Sequence, residues 1–430
     1  MKLLTVKMVI MSVLAISVVI NLSKLNLAQA DAPKNVMAFL NINADDKDAG
    51  PEGRAIGMVD LDKDKEFYFP FTTIEGGPIA GQPVHIVFSS DKARVYVTMS
   101  GNDKLPLRLL VGDVTWNDAQ VPTVKIIKTV EDLPAKSKDK SNAYCCRPKG
   151  TKIDPFVQEG HGTNKSDDDK WVYFSELHNN RLRVFDTTKL EFVAVGTNPS
   201  LKGPHGLYPN PSGTLGASTQ YQINGDEVTT WTMDAATGQI KHKDTIKLKD
   251  TAKKMGGAYT HTIRWINDTQ FYTNVTQEAN QGVKGKSEAS VWLVDTAKKT
   301  ATAVLRKAKA ADGHDGVLEG VSDNWIAHGR LFAGEGNFRK FLDGVAVPGN
   351  ISIWNIDPKN PAKLTLFKRL TPGHGLPADF LNGHELKGSP DNSFVFASSY
   401  QSGHVVKIDG KTGESVKTWK FKVPHGADIR

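Results

Sequence analysis

HELKGSPDNSFVFASSYQSGHVVKIDGKTGESVKTWKFKVPHGADIR, residues 384–430, carries four short β-rich runs with a turn signal after each, and then the opening of a fifth run. SPDN and DGKTG are turns with a mechanism: Asp caps its own turn and Gly accepts positive φ, so each folds one strand back on the last. Four antiparallel strands joined by such turns describe one propeller blade. The fifth run, FKVPHGADIR, reads as the first strand of a further blade with nothing after it. Near the other end, VMAFLNI, AIGMVD and EFYFPFT read as strands two to four of a blade that has no first. If the final run supplies that strand, the ring closes without an exposed sheet edge.

The pattern repeats. A β-rich run ending in Asp followed by a polar turn recurs at Asp60, Asp113, Asp186, Asp234, Asp295, Asp357 and Asp409. The mean spacing is about 58 residues, within the range of repeat architectures. A second unit, His–strand–turn–strand, precedes several of these, as in HIVFSSDKARVYVTMS from His85 and HTIRWINDTQFYT from His261. Few stretches show a 3.6-residue period, so helices are minor. The expected fold is all-β, a seven-bladed β-propeller closed by the C-terminal strand pairing with the N-terminal blade. The stretches Val130–Glu159 and Leu331–Pro348 are expected to be rim-loop insertions.

Composition bounds the rest. The chain has 430 residues, 23% of them charged and 39% hydrophobic, which is globular rather than disordered or polytopic. Lys2 and Lys7, an apolar run from Met8 to Ile20, and Ala28-Gln29-Ala30 form the pattern of a secretory leader over residues 1–30. Residues 31–430 are then one propeller domain, periplasmic or secreted, with no stable membrane anchor after cleavage. Removing that leader lowers the formal charge of +7 by three lysines. What remains suits solubility and an anionic substrate and supports no nucleic-acid partner. Two cysteines exclude a disulfide scaffold and a zinc ribbon. They are adjacent, Cys145 and Cys146. Their options are a strained vicinal disulfide, free thiols, a soft-metal relay or an intermolecular bridge.

Seven of the twelve histidines stand where an innermost strand is expected to begin: His85, His161, His205, His261, His314, His384 and His425. Such positions converge on one mouth of the channel, giving a ring of imidazoles. Neutral imidazole binds transition metals, and a multi-histidine site without thiolates favours copper among the redox metals. A bland alternative stands beside this, that PHG is merely a turn consensus copied by duplication. The residues flanking each His vary, and so do those three places on (Asn164, Tyr208, Arg264, Lys387, Asp428), which argues against it. Arg264 and Lys387 are candidates for holding an anion. Glu385 is a candidate general base or orienting group, with Asp315 and Glu319 as further carboxylates. His374 reads as a loop residue, and His178, His242, His328 and His404 read as structural.

VYVTMS at 95–100, with the PHG and SPD turns, resembles the YVTN class of propeller repeats over essentially all of residues 31–430. The histidine arrangement is similar to the propellers of thiocyanate dehydrogenase and nitrous oxide reductase. The resemblance implies a multinuclear copper cluster on the seven histidines and a copper oxidoreductase acting on a small inorganic or sulfur/nitrogen anion. It also implies a periplasmic electron-transfer partner. The chain departs from nitrous oxide reductase in having no adjacent His-His pair, so the smaller enzyme is the better match. The competing expectation is a non-catalytic secreted propeller that binds a protein or ligand partner through its rim loops.

Overall fold

The computed structural model describes residues 32–41, 55–70, 83–99, 107–132, 160–177, 179–221, 226–251, 255–256, 259–276, 289–309, 313–336, 346–399, 401–421 and 424–430. The leader-like segment, Cys145, Cys146 and His178 lie outside them. Seven antiparallel sheets form the blades, and no helix occurs among the described residues. Blade 1 orders its strands from the axis outward as Pro424–Ile429, Val36–Asn41, Ala55–Asp60 and Lys65–Pro70. The last strand of the chain is thus the first of the first blade, paired to Val36–Asn41 through Met37↔Ile429 and Asn41↔Pro424. The innermost strands of blades 2 to 7 are Pro83–Phe88, Gly160–Lys165, Pro204–Pro209, Thr260–Trp265, Val321–Ala327 and Glu385–Gly388. Each touches the next, and Pro424–Ile429 touches both Pro83–Phe88 and Glu385–Gly388, so the ring is complete.

Burial explains the strand chemistry. Middle strands such as Trp171–Glu176 and Ser290–Asp295 are buried along their whole length, covered on both faces by neighbouring blades. Outer strands such as Ser415–Lys420 alternate between more covered and exposed positions. Apolar cores fill the gaps between blades. Tyr208, Ile246, Phe271 and Trp292 fill one, and Phe332, Phe380, Leu386 and Val395 another. At the closure Met37, Phe396, Trp419 and Ile429 pack together across blades 7 and 1.

The repeated Asp has a local cause. Oδ1 of Asp60, Asp186, Asp234, Asp357 and Asp409 each accepts two backbone N–H groups two and three residues on, closing the turn into the outer strand; Asp295 accepts that of Lys298. Asp113 is the exception. Its strand, Leu107–Trp116, runs three residues further, Asn117 caps the turn, and Asp113 instead accepts from Arg94 Nε at 3.1 Å. Of the two expected rim-loop insertions, residues 133–159 and 337–345 lie outside the described residues. Val130 to Asp132 complete an outer strand, and Leu331 to Glu335 belong to the second strand of blade 6.

Candidate functional site

The inner strands place their side chains by a shared irregularity. A regular strand points residues i and i+2 to one side. In blades 3, 4 and 5 the register shifts between Gly160–His161 and Asn164, between Pro204 and Leu207, and between Thr260 and Ile263. Such a bulge adds a residue, so i and i+3 line the same cavity. His205, His261, Tyr208 and Arg264 accordingly line one small cavity with His85, Asn164, Asp323, Glu385 and Lys387. In blades 3 and 1 the residue after the histidine is a glycine that the local backbone requires. Gly162 has φ +49 and Gly426 φ +62; a Cβ on Gly162 would lie 1.6 Å from the His205 carbonyl oxygen, and one on Gly426 2.5 Å from that of Val84. Close approach of neighbouring blades thus fixes the glycine and leaves the histidine unexplained by the turn.

Five imidazoles form an arc around the axis. Ring centroids are 4.6 Å apart for His85–His161, 3.9 Å for His161–His205, 3.8 Å for His205–His261 and 5.4 Å for His261–His384. All are buried except the half-buried His85. Their backbones are fastened: Ser175 Oγ donates to the His161 carbonyl at 2.9 Å, Thr219 Oγ1 to that of His261 at 3.0 Å, and the His384 N–H to Ser398 at 2.8 Å. The Gly162 N–H points at His161 Nδ1, 3.0 Å away, making that nitrogen an acceptor. Tyr221 backs the arc, 5.4 Å from His205 and 5.5 Å from His261.

Two expected members stand differently. His314 does not begin an inner strand. It is exposed in the connection before blade 6, whose strand starts at Val321. Matching Trp265 to Trp325 puts Val321 of blade 6 at the position of His261; it is fully buried, and its carbonyl accepts from Asn274 as that of His261 accepts from Thr219. His425 occupies the second position of its inner strand, as expected, but its side chain lies outside the described part. Among the described residues no three His, Cys, Asp or Glu side chains are set to hold a metal ion together. The imidazoles touch in sequence rather than meeting at one point.

Below the arc lies a charged tier. Arg264 pairs with Asp323 at 3.1 Å, donates to the Ile263 carbonyl at 2.9 Å, and lies 4.7 Å over the Trp325 ring. Asp323 also accepts the N–H groups of Asn324 and Leu386, at 2.7 and 3.0 Å. Glu385 Oε1 accepts the Gly426 N–H at 2.9 Å and stands 3.9 Å from His384 Nδ1. Asp428 accepts the Phe88 N–H at 2.8 Å and lies 3.4 Å from Arg430. These carboxylates stitch blade 6 to 7, 7 to 1 and 1 to 2. Lys387 sits half-buried among them, its pKa lowered first by burial and then by the nearby Arg264 charge.

Asp315 is exposed and accepts the Lys309 N–H, and the Glu319 N–H is held by the buried Glu335, so both serve the blade 5–6 connection. His374 is exposed, His328 turns between two strands at φ +48, and His404 bonds Asp379 at 2.7 Å. Asp323 and Trp325 were missed from the sequence. Matching Trp265 opposite Phe271 to Trp325 opposite Phe332 sets the blade 6 register and could have found them.

No protein-family model and no curated protein matches the chain. Solved structures do. A functionally unknown protein from Desulfotomaculum acetoxidans aligns with a TM-score of 0.58 at 11% identity, over 92% of this chain and 98% of that one. A protein provisionally assigned as a 6-phosphogluconolactonase from Bacteroides uniformis gives 0.61 at 11%, over 93% and 100%. A similarly assigned protein from Bacteroides fragilis gives 0.58 at 11%, over 93% and 99%. At such identity these likenesses show the propeller fold and nothing of its chemistry.

Proposed function

We propose that the chain is a copper-dependent oxidoreductase acting on a small inorganic or sulfur/nitrogen anion at the axial channel. The observation that carries this reading is the arc of five imidazoles from five blades, three of which (His85, His205 and His261) share one small cavity with Arg264 and Lys387. Neutral imidazoles at this spacing present ring-nitrogen lone pairs to one another's neighbourhood. Imidazole-rich donor sets of this kind suit copper, which supplies one-electron redox chemistry when bound. His205, His261 and His384 would hold it together with His85, with His161 after its ring turns from Gly162, and with His425.

The chain's own residues then divide the remaining work. Lys387 and Arg264 attract and orient the anion, and Glu385 fixes His384 or accepts a proton at its carboxylate. Electrons leave to a periplasmic partner, a location that rests on the leader-like residues 1–30. Because the rings do not yet converge, binding must rotate them about χ1 and χ2. That same lack of convergence favours a second reading, a non-catalytic propeller that binds a protein or ligand partner through its rim loops.

Metal analysis separates the two. The copper-loaded chain is expected to retain about two equivalents, and His205→Ala and His384→Ala are expected to lose them while the β-rich circular dichroism persists. Retention by both variants would overturn the assignment.

A further inference from the structure

Two buried tyrosines lead from the arc toward the outside of blades 4 and 5. Tyr221 lies 5.4 Å from His205 and 5.5 Å from His261, and Tyr259 stands edge-on to Tyr221 at 6.1 Å. The backbone of Tyr259 is the unexpected part. In blade 4 the residue before the first of the inner strand is Gly203, at φ +60, and its carbonyl accepts the Tyr221 N–H at 2.7 Å. Blade 5 makes the same turn with Tyr259, at φ +54, whose carbonyl accepts the Thr276 N–H at 3.3 Å and the Thr276 Oγ1 hydroxyl at 3.0 Å. A Cβ disfavours that conformation, and a bulky side chain does so most. Glycine satisfies the turn, so the ring of Tyr259 answers to what it touches, which is Tyr221. Electron transfer through a protein interior falls steeply with distance, and these two rings divide the way out of the arc into short steps.

The far end of this line is basic. Tyr259 follows Gly256 by three residues, at most about 11 Å of backbone, and Gly256 pairs with Lys249 across a two-stranded hairpin. Lys249 continues the outer strand of blade 4, Ile240–Lys247, on which Lys241, Lys243 and Lys247 are exposed as it is. None of the four pairs with a carboxylate among the described residues. Asp244 of the same strand is taken by Lys299, and Asp250 is half-buried with a partner already. Lysines on an edge strand ordinarily blunt strand addition, and those of blade 7 are also spent locally, Lys417 on Asp64 and Lys420 on Asp379. The blade 4 lysines face solvent as one positive stripe, which attracts and steers a negative partner. We propose that this edge docks an acidic protein that accepts one electron at a time, and that Tyr221 and Tyr259 lie on the electron's route to it. The inference rests on the copper reading and gives its electron acceptor a surface and a charge. Each electron that leaves the arc reduces the acceptor by one, with no bond made or broken in the chain.

Deca-glutamate stands in for the acceptor's surface in calorimetry on the full-length metal-free chain. Lys241→Glu, Lys243→Glu and Lys247→Glu together are expected to weaken its binding at least about tenfold. The same three-fold reversal at Lys359, Lys363 and Lys411, on blades 6 and 7, is expected to change it less than about twofold. Ferricyanide and tris(phenanthroline)cobalt(III) stand in for the acceptor's redox centre, oxidising the reduced, copper-loaded chain in stopped flow. The blade 4 reversal is expected to slow the anionic oxidant about tenfold and to speed the cationic one. Tyr259→Gly, which suits the left-handed turn, is expected to slow both about tenfold while deca-glutamate binds it unchanged, showing that the variant has folded. Equal weakening by the two sets of reversals, or oxidation of Tyr259→Gly as fast as the unaltered chain, would overturn the inference. A chain that retains no copper overturns the copper reading and this route together; copper retained without these effects overturns this inference alone.

Discussion

Blades 5 and 6 stand side by side at the axis and spend the same position in opposite ways. Blade 5 has His261 four residues before Trp265, followed three residues later by Arg264; blade 6 has Val321 four residues before Trp325, with Asp323 two residues on. Both positions are buried and both strands carry the same kind of bulge, so the propeller accepts an aliphatic side chain as readily as an imidazole. An imidazole in five of the seven blades is thus something the ring carries rather than something it needs. The two blades also complement each other, since the Arg264 of one pairs with the Asp323 of the other.

Breaking that pair should have the largest effect. Arg264 and Asp323 are 12% and 3% exposed, and Asp323 also holds the Leu386 N–H of blade 7. Asp323→Ala strands a buried cation and is expected to cost about 3–5 kcal/mol in chemical unfolding, with Asp323→Asn costing less. A loss below about 1 kcal/mol would mean that the blades do not depend on this stitch.

Val321→His sharpens the comparison by giving blade 6 what blade 5 has. A further imidazole between His261 and His384 is expected to tighten copper binding about tenfold in competition titrations. Unchanged or weaker affinity would show that the arc is not a shared donor set.

The outer turns repeat the lesson on a smaller scale. Asp186→Ala removes an acceptor of two N–H groups and is expected to cost about 1–2 kcal/mol. Asp113→Ala, which breaks only a half-exposed pair with Arg94, is expected to cost less than about 1 kcal/mol. Equal losses would put Asp113 back among the turn caps.

The smallest effect is in acid. The N–H groups of Thr412 and then Lys411, working against burial, hold the Asp409 carboxyl below its ordinary range. A depressed folded value adds stability that is complete above the unfolded pKa of about 3.9 and fades as pH falls through the folded one. Asp409→Asn keeps the acceptor and should flatten the stability profile slightly below about pH 4. An unchanged acid limb would refute this contribution.

The blades were legible because their cause is local. Turn Asp residues, period-two strands and the VPHGADIR ending announce hairpins and closure wherever they occur. Six of the seven turn aspartates do what their spacing implied, and the seventh misled because Leu107–Trp116 outruns its neighbours. The site was legible only where the repeat is regular. His314 lies seven residues before Val321 in a longer connection, so a histidine within sequence reach of the strand was taken for one on it. Asp323 and Trp325 carried no motif, since their roles arise from blades brought together by the ring. The i, i+3 pairing of His261 with Arg264 also escapes strand periodicity, because it depends on a bulge.

The central claim is that the imidazoles of separate blades act as one donor set. Copper loading of the full-length chain, read by stoichiometry together with electron spin resonance, tests it most directly. The account predicts about two coppers per chain with nitrogen hyperfine coupling that disappears in His205→Ala. Less than about half an equivalent, or a signal indifferent to that substitution, would contradict it.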